Sequence, residues 1–161
     1  MAGYYLEIKS GNTLNTKDRR FMASLSKTIA NTNVTKDDLA RLTPTGLAAE
    51  QGSKTARVTA VAFMDYQCPF SKEISEPLRR VMASMGDRVR LIIRDYPIPE
   101  LHKDAKASAL AANCVLEQGQ DAYWKFYDLL FTDQSKMSPD DLRSKARLAG
   151  ADAAKYDECV N

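Results

Sequence analysis

The 161-residue chain has one histidine, one tryptophan and three cysteines, and its formal net charge is only +2. One histidine and three widely spaced cysteines do not make a zinc ligand cluster. A net charge this small gives no reason to expect nucleic acid as a partner, and the basic residues Lys17, Arg19, Arg20, Arg79 and Arg80 are interleaved with acids, as on solvated helix faces. Long hydrophobic runs are missing too: nothing approaches the roughly 18 apolar residues that a membrane-spanning helix needs. The opening MAGYYLEIKS has neither a basic nor an apolar signal region. A soluble chain is expected, with any export signal already removed. No repeat or low-complexity tract appears.

What is present is ordinary globular material, 44% apolar and 27% charged, enough for one core. Residues 3–11 alternate as a strand. Residues 16–30 place Phe21, Met22, Leu25 and Ile29 on one helical face behind a Thr16 cap, and a short helix capped by Thr35 stops before Pro44. Residues 43–55, TPTGLAAEQGSKT, are small, polar and Gly-containing and read as a linker.

The strongest strand signal is ARVTAVAFMDY, residues 56–66, which is rich in β-branched and aromatic side chains. A helix follows from Pro69 to Met85, ends at Gly86 and has a kink expected at Pro77. RVRLIIRDYP then gives a second strand halted by Pro97 and Pro99. Strand, helix, strand over this length is a βαβ unit with parallel strands. From Leu101 onward the chain reads as all helix, with Trp124, Phe126, Tyr127 and Phe131 at core spacing and a Ser138-Pro139 start.

Within this frame Cys68 stands where a strand ends and a helix begins. Reaction sites of open α/β sheets lie at such corners. The positive end of a helix dipole and free backbone N–H groups there favour a thiolate, lowering a thiol from its usual pKa of about 8.5. A thiolate at neutral pH is a nucleophile toward disulfides. The competing reading is a buried packing cysteine, which has no need of a following Pro69 and helix start. Tyr66 and Phe70 are expected to bury the sulfur partly and leave it reachable. Asp65 either tunes Cys68 or caps the turn, the second being the simpler role. His102 reads as a capping or packing residue, not a general base. Cys114 and Cys159, taken alone, are packing thiols.

VTAVAFMDYQCPFS resembles the active-site strand and turn of DsbA-like thiol:disulfide oxidoreductases, in which an apolar strand leads to Asp, an aromatic, any residue and Cys-Pro-x-Cys. The likeness continues through RVRLIIRDYPIPELHKDAKASALAANCVLEQGQDAYWKFYDLLFTDQ and on to Cys159, covering roughly residues 57–160. It implies an α/β fold with a thioredoxin-like βαβ core and an all-helical insertion from about residue 101, lacking the usual C-terminal ββα part. Residues 57–161 are then the thioredoxin-like domain, and residues 1–56 a strand/helix extension with a linker. It implies an enzyme, a disulfide oxidoreductase acting on protein thiols outside the cytoplasm, in the periplasm, with catalytic Cys68 in the environment of Asp65, Tyr66, Pro69 and Phe70. A membrane quinone-linked oxidase would recharge the dithiol form, and no cofactor or metal is needed. In such an exported protein Cys114 and Cys159 can pair as a structural disulfide; the packing reading stays open beside it.

Ser71 departs from the pattern, standing where the family carries its resolving cysteine. A hydroxyl donates a hydrogen bond to a thiolate but forms no disulfide, so the site would hold long-lived mixed disulfides. Either the serine was introduced to trap a complex or the enzyme is natively monothiol. Without the C-terminal strands the sheet has an open edge, which residues 4–9 can pair with or which residues 1–56 can cover through a homodimer. The rival functions are a kappa-type glutathione transferase, whose active-site turn also carries serine, and a non-catalytic thioredoxin-fold binding module.

Overall fold

The residues that read most plainly as strand form the centre of the sheet. A computed structural model describes residues 4–8, 37, 41 and 46–161 of the chain. In it β1 is Tyr4–Ile8, β2 Ala49–Gln51, β3 Val58–Met64 and β4 Val89–Asp95, in the spatial order β1-β3-β4-β2. The central pair β3 and β4 is parallel, with Val58 beside Val89 and Met64 beside Asp95. Helix α1, Pro69–Met85, joins them and completes the expected βαβ unit. Five of the seven β3 residues are buried, so both faces of this strand are covered, as its near-continuous apolar run requires.

Both edges of the parallel pair are filled by antiparallel strands. β1 lies along the outer side of β3, with Tyr4 opposite Ala62 and Ile8 opposite Val58, so the strand read at the start of the chain does pair with the sheet. β2 lies along β4, with Ala49 opposite Ile93. This corrects the reading of residues 43–55 as a linker: three of them are sheet. Their composition carries no strand signal because tertiary contacts hold them. Trp124 Nε1 donates to Glu50 O at 3.2 Å, Glu50 N to Gln120 Oε1 at 3.2 Å, and Gln120 Nε2 to Ala48 O. The helix read over residues 16–30 lies outside the described residues. Of the next short helix, Asp37 and Arg41 are helical.

Helix α1 buries Ser71, Ser75, Leu78 and Met82, one stripe at helical spacing, and runs unbroken through Pro77. The carbonyl that Pro77 cannot hydrogen-bond belongs to Glu73, an exposed residue, so water can satisfy it. After β4 the described chain is helical: α2 Ala105–Leu116, α3 Gln120–Thr132, α4 Pro139–Ala149 and α5 Ala153–Val160. α4 starts as its sequence indicates, with Ser138 and Asp141 forming a reciprocal capping box across Pro139. Phe126, Tyr127 and Phe131 are buried with Trp124 in a core continuous with that of the sheet. The architecture is the expected one, a thioredoxin-like βαβ core carrying a helical insertion.

Candidate active site

Cys68 is the N-cap residue of α1, at φ −73° and ψ 127°, and Pro69 occupies the first helical turn. No acidic side chain lies in that turn to compete for the positive end of the helix. Two expectations need correction. Cys68 is only 5% exposed, more enclosed than a partly covered sulfur. Its side chain also makes no capping hydrogen bond to the first-turn N–H groups.

The backbone around the sulfur is held at many points. Cys68 N donates to Asp65 O at 3.1 Å, and Cys68 O receives Lys72 N at 3.1 Å, the first bond of the helix. Asp65, 4% exposed, is a hub. Its Oδ1 accepts from Gln67 N at 2.9 Å, and its Oδ2 accepts from Ile98 N at 2.9 Å and lies 2.9 Å from His102 Nδ1. One carboxylate thus closes its own turn and ties in the loop after β4, so Asp65 caps the turn as the simpler reading had it. Three partners, Gln67 N, Ile98 N and His102 Nδ1, thus satisfy a side chain that is out of reach of water. Gln67 and Asp104 exchange a second pair of bonds across the same gap, at 3.0 and 2.9 Å. From the far side Gln134 Nε2 reaches both Tyr66 O and Cys68 O, each at 2.9 Å.

The other named residues fall in three positions. Ser71 is 1% exposed, and its Oγ accepts from Asp65 N at 3.2 Å, which ties this side chain to the turn. Tyr66 is 1% exposed and is a core residue. Its ring packs on Tyr127 and Phe131 while its hydroxyl donates to Asp95 Oδ1 at 3.0 Å and lies 2.8 Å from the Tyr123 hydroxyl. Burial, foremost, and the neighbouring Tyr123 and Asp95 hold the Tyr66 hydroxyl well above the usual phenol range. Burial also raises Asp95, against hydrogen bonds from Asn113 and Tyr66 that pull it down. Phe70 is 66% exposed and stands at the surface of the first turn.

Cys114 and Cys159 form a disulfide that joins α2 to α5 across 45 residues. Of the two readings left open by the sequence, the structure has the paired one. Among the described residues no group of three or more His, Cys, Asp or Glu side chains is arranged to hold a metal ion. A groove of about 330 Å³ opens between α1 and α3, one turn beyond Cys68, and is lined by Lys72, Arg79, Asp128 and Thr132 among others. Within it Arg79 is paired with Asp128, Nε to Oδ1 at 3.1 Å and Nη2 to Oδ2 at 3.2 Å.

Sequence reasoning missed Gln134, the Gln67–Asp104 exchange and the Asp65–His102 pair. Each joins residues 37 or more positions apart, and no local pattern marks them.

The chain is similar to proteins with this architecture. A family model described as Thioredoxin matches residues 42–161. A probable disulfide bond formation protein D of Bacillus anthracis is 29% identical over 86 residues, which is 53% of this chain and 40% of that protein. A Na(+)/H(+) antiporter NhaA 3 of Salinispora tropica is 31% identical over 108 residues, 67% of this chain but only 16% of the antiporter's length. No described helix of this chain is long and apolar enough to cross a membrane. Among solved structures, the thiol-disulfide exchange protein alpha-DsbA2 of Wolbachia pipientis superposes with a TM-score of 0.67 at 20% identity, covering 92% of this chain and 72% of that one.

Proposed function

The chain belongs to the thioredoxin family, and from that premise we propose that it is a DsbA-like thiol:disulfide oxidoreductase whose nucleophile is Cys68. The observation that carries this reading is the place of that residue: the N-cap of a helix opened by Pro69, at the carboxyl end of a central parallel strand. In the exchange step the Cys68 thiolate attacks one sulfur of a disulfide R–S–S–R′. The S–S bond breaks, R′S⁻ leaves and Cys68–S–S–R forms, with no net change in the number of disulfides.

Release from that state needs a second thiolate. Ser71 supplies none, so an outside thiol R″S⁻ displaces Cys68 and leaves as R–S–S–R″. The chain in this CPFS form therefore holds mixed disulfides until such a thiol arrives. Ser71 is only 1% exposed, and this burial favours exchange over a transferase that would hold glutathione through this serine. The substrates are protein thiols and disulfides of exported chains. The Cys114–Cys159 disulfide supports an oxidising, extracytoplasmic setting such as the periplasm. A membrane quinone-linked oxidase as partner of a dithiol form, and a homodimer through residues 1–56, belong to the same proposal. So does the division of labour in which residues 57–161 carry the reaction and residues 1–56 extend the domain, lending it β1 and β2.

The test is intact-mass analysis after mixing the protein with a peptide disulfide. An adduct on Cys68 is expected that persists in buffer, is released by added glutathione and is absent from Cys68→Ala. Ser71→Cys is expected to release the peptide unaided and to oxidise a reduced model substrate. A Ser71→Cys protein that is folded, forms no adduct and oxidises nothing would remove the enzymatic reading.

A further inference from the structure

We infer that Gln134 is a positioning residue for the Cys68 nucleophile, a role that deepens the proposed exchange activity and rests on it. The inference starts from the two ends of one peptide plane. In the Tyr66–Gln67 peptide the carbonyl oxygen accepts from Gln134 Nε2 at 2.9 Å, while the N–H on the opposite side donates to Asp65 Oδ1 at 2.9 Å. A trans peptide whose two poles are both held cannot rotate about its Cα–Cα axis without breaking one of the bonds. The second amide hydrogen of Gln134 goes to Cys68 O, again at 2.9 Å. That oxygen also receives Lys72 N, and Cys68 N is bound to Asp65 O. Both backbone dihedrals of Cys68 are thereby set, and χ1 alone is left to move the sulfur.

Gln134 does more than fill space. Its primary amide has two N–H donors on one nitrogen, and the two carbonyls it serves flank Gln67. Lys72 N satisfies Cys68 O without it, whereas Tyr66 O has Gln134 Nε2 as its described donor. Without that donor the peptide is held at one pole only and the carbonyl is free to turn its negative end.

The segment that presents Gln134 is itself fixed. Asp133 Oδ1 accepts from Ser135 N at 3.1 Å and from the Ser135 hydroxyl, closing a short turn around residue 134. From α4, Lys145, 8% exposed, donates through Nζ to Asp133 O at 2.6 Å. The helical insertion therefore reaches back across 66 residues of sequence and holds the turn that aims the sulfur.

Gln134→Met tests this, because methionine keeps length and lacks both charge and donors. Two measurements apply at 25 °C, on a variant whose circular dichroism matches the parent's. The first is the rate at which Cys68 reacts with a small aromatic disulfide, expected to fall about tenfold because a displaced nucleophile samples its attack geometry less often. The second is hydrogen exchange at the Gln67 and Cys68 amides, expected to quicken about tenfold while the amide of Val61 in β3 stays protected. Gln134→Asn, which keeps the donors on a shorter arm, is expected to recover part of both. A methionine variant with the parent's rate and the parent's amide protection overturns the inference. If Cys68 of the unaltered protein ignores disulfides, the proposed activity fails and the inference falls with it, whereas a reactive parent with an unchanged methionine variant overturns the inference alone.

Discussion

Asp65 shows how much of the site depends on single groups. It is a nearly buried carboxylate with three partners drawn from the turn after β3 and the loop after β4. Replacing it by alanine leaves two backbone N–H groups and His102 Nδ1 without their acceptor in a place with little water, and hydrogen bonds to charged groups are the expensive ones to lose. Asp65→Ala is expected to cost about 3 kcal/mol in urea denaturation. Asp65→Asn, which keeps a carbonyl oxygen, is expected to cost clearly less. Equal losses for the two would mean that the charge, and not the acceptor geometry, is what the turn needs. Tyr66 illustrates the opposite limit of sequence reading. Its position beside the cysteine suggested a wall for the sulfur, yet its hydroxyl is spent on Asp95 and Tyr123 in the core, because a buried phenol must find partners and those were the ones within reach.

At the scale of elements, β2 is held by partners outside itself and by one glycine. Gly52 has φ +92°, and a Cβ there would lie 2.0 Å from Val89 O, on the strand that β2 pairs with. Gly52→Ala therefore meets both a backbone clash and an unfavourable left-handed conformation, and is expected to lose about 2 kcal/mol or more of stability. Gly46→Ala, with nothing within 4 Å of the added Cβ, is the control and is expected to stay within about 0.5 kcal/mol of the parent. β2 also receives Arg79 of α1, whose Nη1 donates to Gln51 Oε1 at 2.6 Å while its guanidinium lies 4.8 Å from the Trp124 ring centroid. The helices of the insertion are joined by the Cys114–Cys159 bond. Closing a 45-residue loop limits the unfolded chain, so Cys114→Ala with Cys159→Ala is expected to cost about 4 kcal/mol under oxidising conditions, as read from denaturation midpoints. Reduction of the parent protein should reproduce most of that loss.

For the whole molecule, one carboxylate and a set of three others pull the pH dependence of stability in opposite directions. Burial raises Asp95 above its ordinary value of 3.8. The folded state then holds its proton longer than the unfolded chain does, so this contribution is complete below that value and declines as pH rises through the folded pKa. Asp133, Asp141 and Asp157 lie below the same ordinary value, chiefly through hydrogen bonds from Ser135, Ser138 and Arg143 respectively. Their contributions are present above the ordinary value and disappear as pH falls through the lowered ones. The stability difference between the parent and Asp95→Asn is therefore expected to move against the parent as pH rises from about 4 toward neutrality, measured by urea denaturation across that range. A flat difference would mean that Asp95 is solvated in the folded protein.

The order of the central elements, the cysteine at the mouth of a helix and the aromatic core of α3 were legible in the amino acids alone. Such features are settled within a few residues: β-branched side chains favour extended backbone, proline suits a first helical turn, and apolar spacing selects which face is buried. Tertiary structure alone decided that Ala49–Gln51 would be a strand, that Cys114 would meet Cys159, and that Asp65, His102 and Gln134 would gather round one turn. These depend on buried polar groups and open strand edges finding partners, and which partner is at hand is known only after distant segments have packed together.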